Sequence, residues 1–347
     1  MKTHFSRRAA LQLTAATVAF AAFGVPAMAQ DGEPVKWRMQ ALWDGGTTPQ
    51  KFEQMYVDRV AELTDGKFQI ELFSAGQIVP PAQAFDAVRG GAFQLMKTFD
   101  GYEAGKIPAL AFTSTIPFGY PEASQYSDWF YKHGGIEFAQ EAYAPAGLQY
   151  IAPMVYDQEP IHSKVKIETI EDFNGKKGRF VGLASSVMTD FGVAVSPLPT
   201  SEVYSALDKG LIDFADRGDL QANLDAGLGE VAKFIILPGV HQPTTATSYV
   251  ANKAAYDKLP DAYKDALATA AKEVSDAYQA AKTKSDKSAL EAFKEQGVEV
   301  IELKEDDVNA ARVKAVESWR KATKGNDLAT RILDSQVKQM QELGLIQ

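Results

Sequence analysis

From Val35 onward the chain alternates short apolar segments of strand character with longer ones of helical period, and few folds accept that order. The stretch "VKWRMQALW" reads as a strand. "TPQKFEQMYVDRVAELTDG" reads as a helix with Phe52, Met55, Tyr56, Val60 and Leu63 on one face, taken as core, and Gly66 past its end. "KFQIELF" returns to a strict period of two. "PPAQAFDAVRGGAFQLMKTF" then gives a helix closed at Gly90 and Gly91, followed by a third strand. Parallel strands need a crossover between them, so this βαβαβ order predicts a mostly parallel sheet with helices on both faces.

The register recurs in "LQYIAPMVY", in "KKGRFVG" and in the helical "TSEVYSALDKG" followed by "LIDFA". "HQPTTATSYVANKAAYDKLP" returns to a strand. The segment "LPDAYKDALATAAKEVSDAYQAAKTKSDKSALEAFKEQG" is then helical throughout, with Pro260 near its start and Gly297 after its end. At 1.5 Å per residue such a helix is about 55 Å long, enough to brace two lobes. A late strand, "VEVIEL", precedes a tail that places Leu328, Ile332, Val337, Met340 and Leu343 at helical spacing. Packing of this tail on its own lobe, in a monomer, is the favoured reading, and helix exchange into a dimer is the other.

The first thirty residues combine Lys2, Arg7 and Arg8 with an apolar stretch from Ala9 to Val25 and the tripeptide Ala27-Met28-Ala29. That is the pattern of an export signal cut after Ala29, with an apolar region too short to span a bilayer. Arg7-Arg8 suits the twin-arginine route, whereas Ala10 and Gln12 stand where that signal favours an aromatic and a lysine, so both export routes stay open. Removing the signal takes the net charge from -9 to about -12, which argues against nucleic acid or an anionic membrane surface as partner. No cysteine is present, which excludes disulfides, thiolate metal sites and a cysteine nucleophile. The remaining chain of about 318 residues exceeds what one core usually holds, so two lobes are expected.

Catalytic and phosphate-binding signatures are missing. There is no Gly-x-Ser-x-Gly, no zinc motif and no phosphate loop, and His4, His133, His162 and His241 fall in no catalytic pattern. The chain is read as a binding protein rather than an enzyme, with a hydrolase or lyase on the same frame as the distant alternative. Arg179, in "GKKGRFVGLASS", sits beside apolar Phe180 and Val181. A charge at such a strand end needs an anion, because burying it unpaired costs several kcal/mol. That anion is either an internal Asp or Glu or a ligand carboxylate gripped by two parallel hydrogen bonds.

The same region resembles the solute-binding proteins of tripartite ATP-independent periplasmic (TRAP) transporters, the DctP-like family, and most of all their 2-oxo acid and lactate branch. The resemblance rests on Gly175, Lys177 and Arg179, then Pro197, Pro199, Glu202, Tyr204, Ala206, Leu207, Gly210 and Asp213 at the family's spacing. It extends through "SAGQIVPPAQAFDAVRGGAFQL" and "LPGVHQPTTATSYVANKAAYDKLP". It implies a two-lobed α/β periplasmic binding protein with two mixed sheets flanked by helices. Lobe I would comprise 31–154 with 244–283, and lobe II 155–243 with 284–347. The resemblance also implies periplasmic capture of a small organic acid, with Arg179 on its carboxylate, and delivery to a TRAP membrane permease; a receptor in place of the permease is the alternative. Gln158 matches a polar contact of that branch. Asp216-Arg217 stands where the branch has Glu-Trp, whose acidic residue helps hold a bridging cation. Asp216 could therefore hold sodium or calcium, while Arg217 could meet a second carboxylate or pair with Asp216 or Asp219. Trp43, Phe99, Asp100 and Tyr102 follow strands at cleft positions. Tyr156 and His241 lie near the expected lobe crossings, His241 as a structural hydrogen-bonding residue before a metal ligand.

Overall fold

The computed structural model describes residues 34–346 apart from Pro199. The export signal expected at 1–29 lies outside the described residues. Eleven strands are described in chain order: β1 (Val35–Gln40), β2 (Phe68–Phe73), β3 (Leu95–Thr98), β4 (Leu148–Asp157), β5 (Ile161–Ser163), β6 (Lys177–Arg179), β7 (Ala194–Val195), β8 (Phe214–Ala215), β9 (Phe234–Leu237), β10 (Thr244–Asn252) and β11 (Glu299–Glu302). They form two sheets, in the orders β2-β1-β3-β10-β4 and β11-β9-β5-β8-β6-β7. Both are mixed. β1, β2 and β3 run parallel, as the βαβαβ pattern requires, and β10 is antiparallel to β3 and β4. In the second sheet β5 is antiparallel to both β8 and β9, while β6, β7 and β8 are parallel.

The chain passes between the sheets at 158–160, between β4 and β5, and returns at 238–243, between β9 and β10. The expected long helix, Asp261–Glu295, makes a third connection of 35 residues. Its first half buries Tyr263, Leu267, Ala270, Ala271, Val274 and Tyr278 against Trp37, Met39, Phe68 and Tyr249 of the first sheet. Its second half buries Ala289 and Phe293 with Ile235 of the second sheet and with Val298, which precedes β11. One helix thus braces both sheets.

The first helix, Thr48–Leu63, turns a different face inward from the one expected. Its buried residues are Pro49, Glu53, Tyr56, Val57 and Val60, whereas Met55 is 46% exposed and Leu63 37% exposed. The inward stripe keeps the helical spacing but includes Glu53, because that carboxylate accepts the Leu42 N–H at 3.0 Å and so holds the loop after β1.

The tail folds into Glu305–Thr323 and Asp327–Glu342. Ile332, Leu333 and Met340 are fully buried, and each such side chain contributes about 1.5–3 kcal/mol. The partners of the last helix lie in 108–143: Gln336 donates to the Phe112 carbonyl, Tyr120 donates to Gln339, and the Trp129 indole donates to Ser335. Its apolar face is thereby covered within the chain.

Candidate ligand-binding site

Arg179 closes β6, a strand of three residues paired on both sides, by β7 and β8. Strand pairing leaves its side chain 2% exposed. Nε donates to the Leu198 carbonyl at 2.9 Å, and Nη1 donates to Asp216 Oδ1 at 2.8 Å and to the Asp216 carbonyl at 3.3 Å. Among the described residues Nη2 has only a long contact of 3.5 Å, to the Thr200 hydroxyl. Burial alone would lower the guanidinium's pKa, yet the charge of Asp216, first among the groups around it, holds it above its usual value, so the group stays cationic. Of the two anions that the sequence left open for Arg179, the internal one is present.

Asp216 follows β8 and is buried. Its second oxygen lies 3.7 Å from His241 Nε2. His241 is fully buried, with its ring 5.0 Å from that of Phe180. Burial pushes its pKa down to about 4, against the pull of Asp216, so the imidazole is neutral at neutral pH. The expectation of a structural hydrogen-bonding histidine is not met, since among the described residues neither ring nitrogen has a hydrogen-bond partner. This imidazole beside the Arg179–Asp216 pair is a buried polar group without a partner among the described residues.

Arg217 pairs with neither Asp216 nor Asp219. It is half-buried, Nη1 donates to the Ala222 carbonyl at 3.1 Å, and among the described residues no carboxylate oxygen lies within 4.0 Å of it. Asp219 is engaged elsewhere: it caps the helix Leu220–Asp225 by accepting the Ala222 N–H at 2.7 Å, and it accepts the Tyr278 hydroxyl. Tyr156 donates to Glu159 Oε1 at 2.9 Å. Glu159 is buried, and burial, then the nearby Asp216, raises its pKa to about 8, so it holds a proton at neutral pH. Gln158 is turned to the crossing, where its Oε1 accepts the Gly239 N–H at 2.6 Å.

The first sheet faces this group with Trp43, Phe99 and Tyr102. The Trp43 ring lies 3.4 Å from where a Cβ on Gly218 would stand, so Gly218 is what lets the indole approach. The Tyr102 hydroxyl is 3.4 Å from that of Thr200, and the Phe99 and Tyr102 rings meet edge to face at 5.2 Å. Gly182, at φ +60°, opens the helix Gly182–Asp190, and a Cβ there would stand 3.3 Å from the Gly101 Cα. Asp100 points away from this group, bonded to Thr113 at 2.6 Å and Tyr143 at 2.7 Å. Arg179, Asp216, Arg217, His241 and Tyr156 therefore come together opposite Trp43 and Phe99. Glu159, Tyr278 and Thr200 join them without having announced themselves in the sequence, because no local pattern marks a side chain that works only through long-range contacts.

Asp216, named above as a candidate metal ligand, accepts Arg179 at Oδ1 and has Oδ2 3.7 Å from His241 Nε2. Among the described residues no group of three or more His, Cys, Asp or Glu stands together. Among the described residues, too, no helix is long and apolar enough to cross a membrane.

Comparison with known proteins places the chain in a family. The family model described as bacterial extracellular solute-binding protein, family 7 (DctP), matches residues 42–326. A monocarboxylate 2-oxoacid-binding periplasmic protein of Nostoc sp. is 36% identical over 243 residues, which is 70% of this chain and 66%, just under two thirds, of that relative. A TRAP periplasmic solute-binding protein from Pseudoalteromonas atlantica T6c, solved with bound sodium and pyruvate, superposes with a TM-score of 0.82 at 25% identity over 90% of this chain and 95% of that one. A TRAP transporter solute-binding protein from Bordetella bronchiseptica RB50, solved with calcium and picolinate, gives 0.80 at 26% identity over 90% and 94%. The two mixed sheets flanked by helices are the two-lobed fold of these proteins. With the family model covering well over half of its length, the chain belongs to the bacterial extracellular solute-binding proteins of family 7.

Proposed function

We propose that this protein captures a small organic carboxylate between its two sheets in the periplasm and delivers it to the membrane permease of a TRAP transporter. The observation that carries the reading is Arg179, buried and cationic, anchored through Nε and Nη1 while, among the described residues, Nη2 keeps only one long contact. A carboxylate entering beside Nη2 and the unpartnered His241 would find a charged donor already oriented, which lowers the ordering cost of binding. The 2-oxo acid, pyruvate and picolinate named for the relatives are all carboxylates, which supports the same class here.

Each lobe is built on one sheet, near the division 31–154 with 244–283 and 155–243 with 284–347, with the last helix seated on the first of them. Hinge motion at 158–160 and 238–243 opens and closes the site. Arg179, Arg217, His241, Asp216, Tyr156, Trp43 and Phe99 line it, and Gln158 clamps the crossing at Gly239. The covered face of the Asp327–Glu342 helix favours a monomer. Sodium or calcium accompanies the ligand in the two solved relatives, so the second anchor of the carboxylate lies between such an ion and Arg217. A thermal-shift screen of small carboxylates tests the function: at least one should raise Tm in a concentration-dependent way. A screen in which only uncharged solutes or amines stabilise the protein would end the reading.

A further inference from the structure

We propose that Lys282 is a positioning residue for ligand capture: it ties the three connections between the sheets into one pivot and so sets how tightly the lobes close on a bound acid. The inference rests on the two-lobed carboxylate reading above. The long helix Asp261–Glu295 leaves the core of the first sheet at Tyr278 and enters that of the second at Ala289. Between those two positions Lys282 alone is buried among the described residues, at 2% exposure. A lysine at this depth needs acceptors in place of water. Nζ donates to the Gln158 carbonyl at 3.2 Å and to the Asp286 carboxylate one turn further on.

These bonds reach all three connections. Gln158, in the first crossing, accepts Lys282 at its backbone carbonyl and, at its side-chain Oε1, the N–H of Gly239 in the second crossing, 2.6 Å away. The Glu159 N–H donates to the Gln242 carbonyl at 3.1 Å, a second bond between the same crossings. The helix meets them with a polar stripe. Ser275 Oγ accepts the Val155 N–H at 3.0 Å, Gln279 Oε1 accepts the Asp157 N–H at 3.1 Å, and Lys282 with Asp286 continues the stripe at helical spacing. An apolar side chain at 282 could fill the space, but it could not hold a carbonyl that lies outside the sheet ladders. Removing the ammonium therefore frees the first crossing from the helix and leaves the two apolar cores on either side intact. The candidate site is hung on these crossings: Tyr156 precedes the first, Glu159 lies in it, and His241 lies in the second. A looser pivot lets the lobes sample more relative orientations. A smaller fraction of the protein then presents Arg179 and Trp43 to the acid together, and apparent affinity falls with that fraction.

Spin labels on Glu137→Cys and Lys209→Cys, exposed positions of lobe I and lobe II in a chain without cysteine of its own, read the pivot with no ligand present. Pulsed dipolar spectroscopy should give a lobe-to-lobe distance distribution at least about 1.5 times broader in Lys282→Met/Asp286→Asn than in the labelled parent. The double variant removes both members of the ion pair and so strands no charge, and circular dichroism melts show that it folds. Calorimetry of the unlabelled proteins with pyruvate as probe should show Kd raised about tenfold or more in the double variant. Lys282→Arg, which keeps the charge and its donors, should lie nearer the parent in both measurements. A folded double variant with the parent's distribution width, or with the parent's Kd for pyruvate, overturns the proposal. Should the double variant not fold, Lys282→Met alone is held to the same two criteria. The distance measurement needs no acid, so failure of this inference and failure of the carboxylate reading are told apart.

Discussion

Replacing Arg179 with alanine removes the Nε bond to Leu198 and both Nη1 bonds to Asp216, and leaves the Asp216 carboxylate buried with His241 at 3.7 Å. Breaking a buried pair by deleting one partner costs about 3–5 kcal/mol, chiefly for the charge left uncompensated. Unfolding entropy of about 2.1 cal/mol/K per residue, taken over the Pro34–Gln347 unit, gives about 0.65 kcal/mol/K. The ligand-free variant should therefore melt about 5–8 °C lower than wild type. It should also lose about 2–5 kcal/mol of carboxylate binding. The double variant Arg179→Ala/Asp216→Ala should regain at least half of the lost Tm, since it removes the stranded charge. Differential scanning calorimetry without ligand reads the stability part, and titration with the acid found by the screen reads the binding part. A single variant that melts within 1 °C of wild type, or a double variant as low as the sum of the singles, would refute the argument that Arg179 and Asp216 are a coupled pair.

Two buried groups make the stability depend on pH with opposite signs. Burial lowers the His162 pKa from 6.5 to about 3, so the unfolded chain binds the extra proton and stability falls as pH drops below about 6.5. His162→Leu should remove up to about 1.4 kcal/mol per pH unit of that decline between pH 6 and 4, read by urea unfolding. Burial raises the Glu53 pKa from 4.5 to about 8, so the folded chain holds the extra proton and stability falls as pH rises from about 5 to 7. Glu53→Gln should flatten that slope, and an unchanged slope would mean that Glu53 is not buried in the folded protein. Gly182→Val meets a strained φ of +60° and the Gly101 backbone at 3.3 Å. It should hold the two sheets apart and weaken ligand binding at least tenfold with a small change in far-UV circular dichroism, and an unaltered Kd would show that this approach is not part of closure.

The order of strands and helices and the long helix were legible in the sequence, because backbone hydrogen bonding imposes a period on apolar residues within each element; that period led to a mostly parallel sheet, and the two mixed sheets were implied by the family resemblance alone. The placement of Arg179 at a strand end was legible for the same reason. Which carboxylate it would meet was not, since Asp216 lies 37 residues further on and reaches it only through the pairing of β6 with β8. The face of the first helix was misjudged at Met55 because apolar spacing alone cannot foresee a glutamate drawn inward by the backbone amide of Leu42. Gln158 turned to Gly239, and His241 settled against Phe180 with both nitrogens unpartnered, by way of contacts that exist only once the two crossings are in place. Local periodicity determined the elements; the meeting of charges was decided by long-range packing, where neutralising a buried cation outweighs any preference that a residue carries alone.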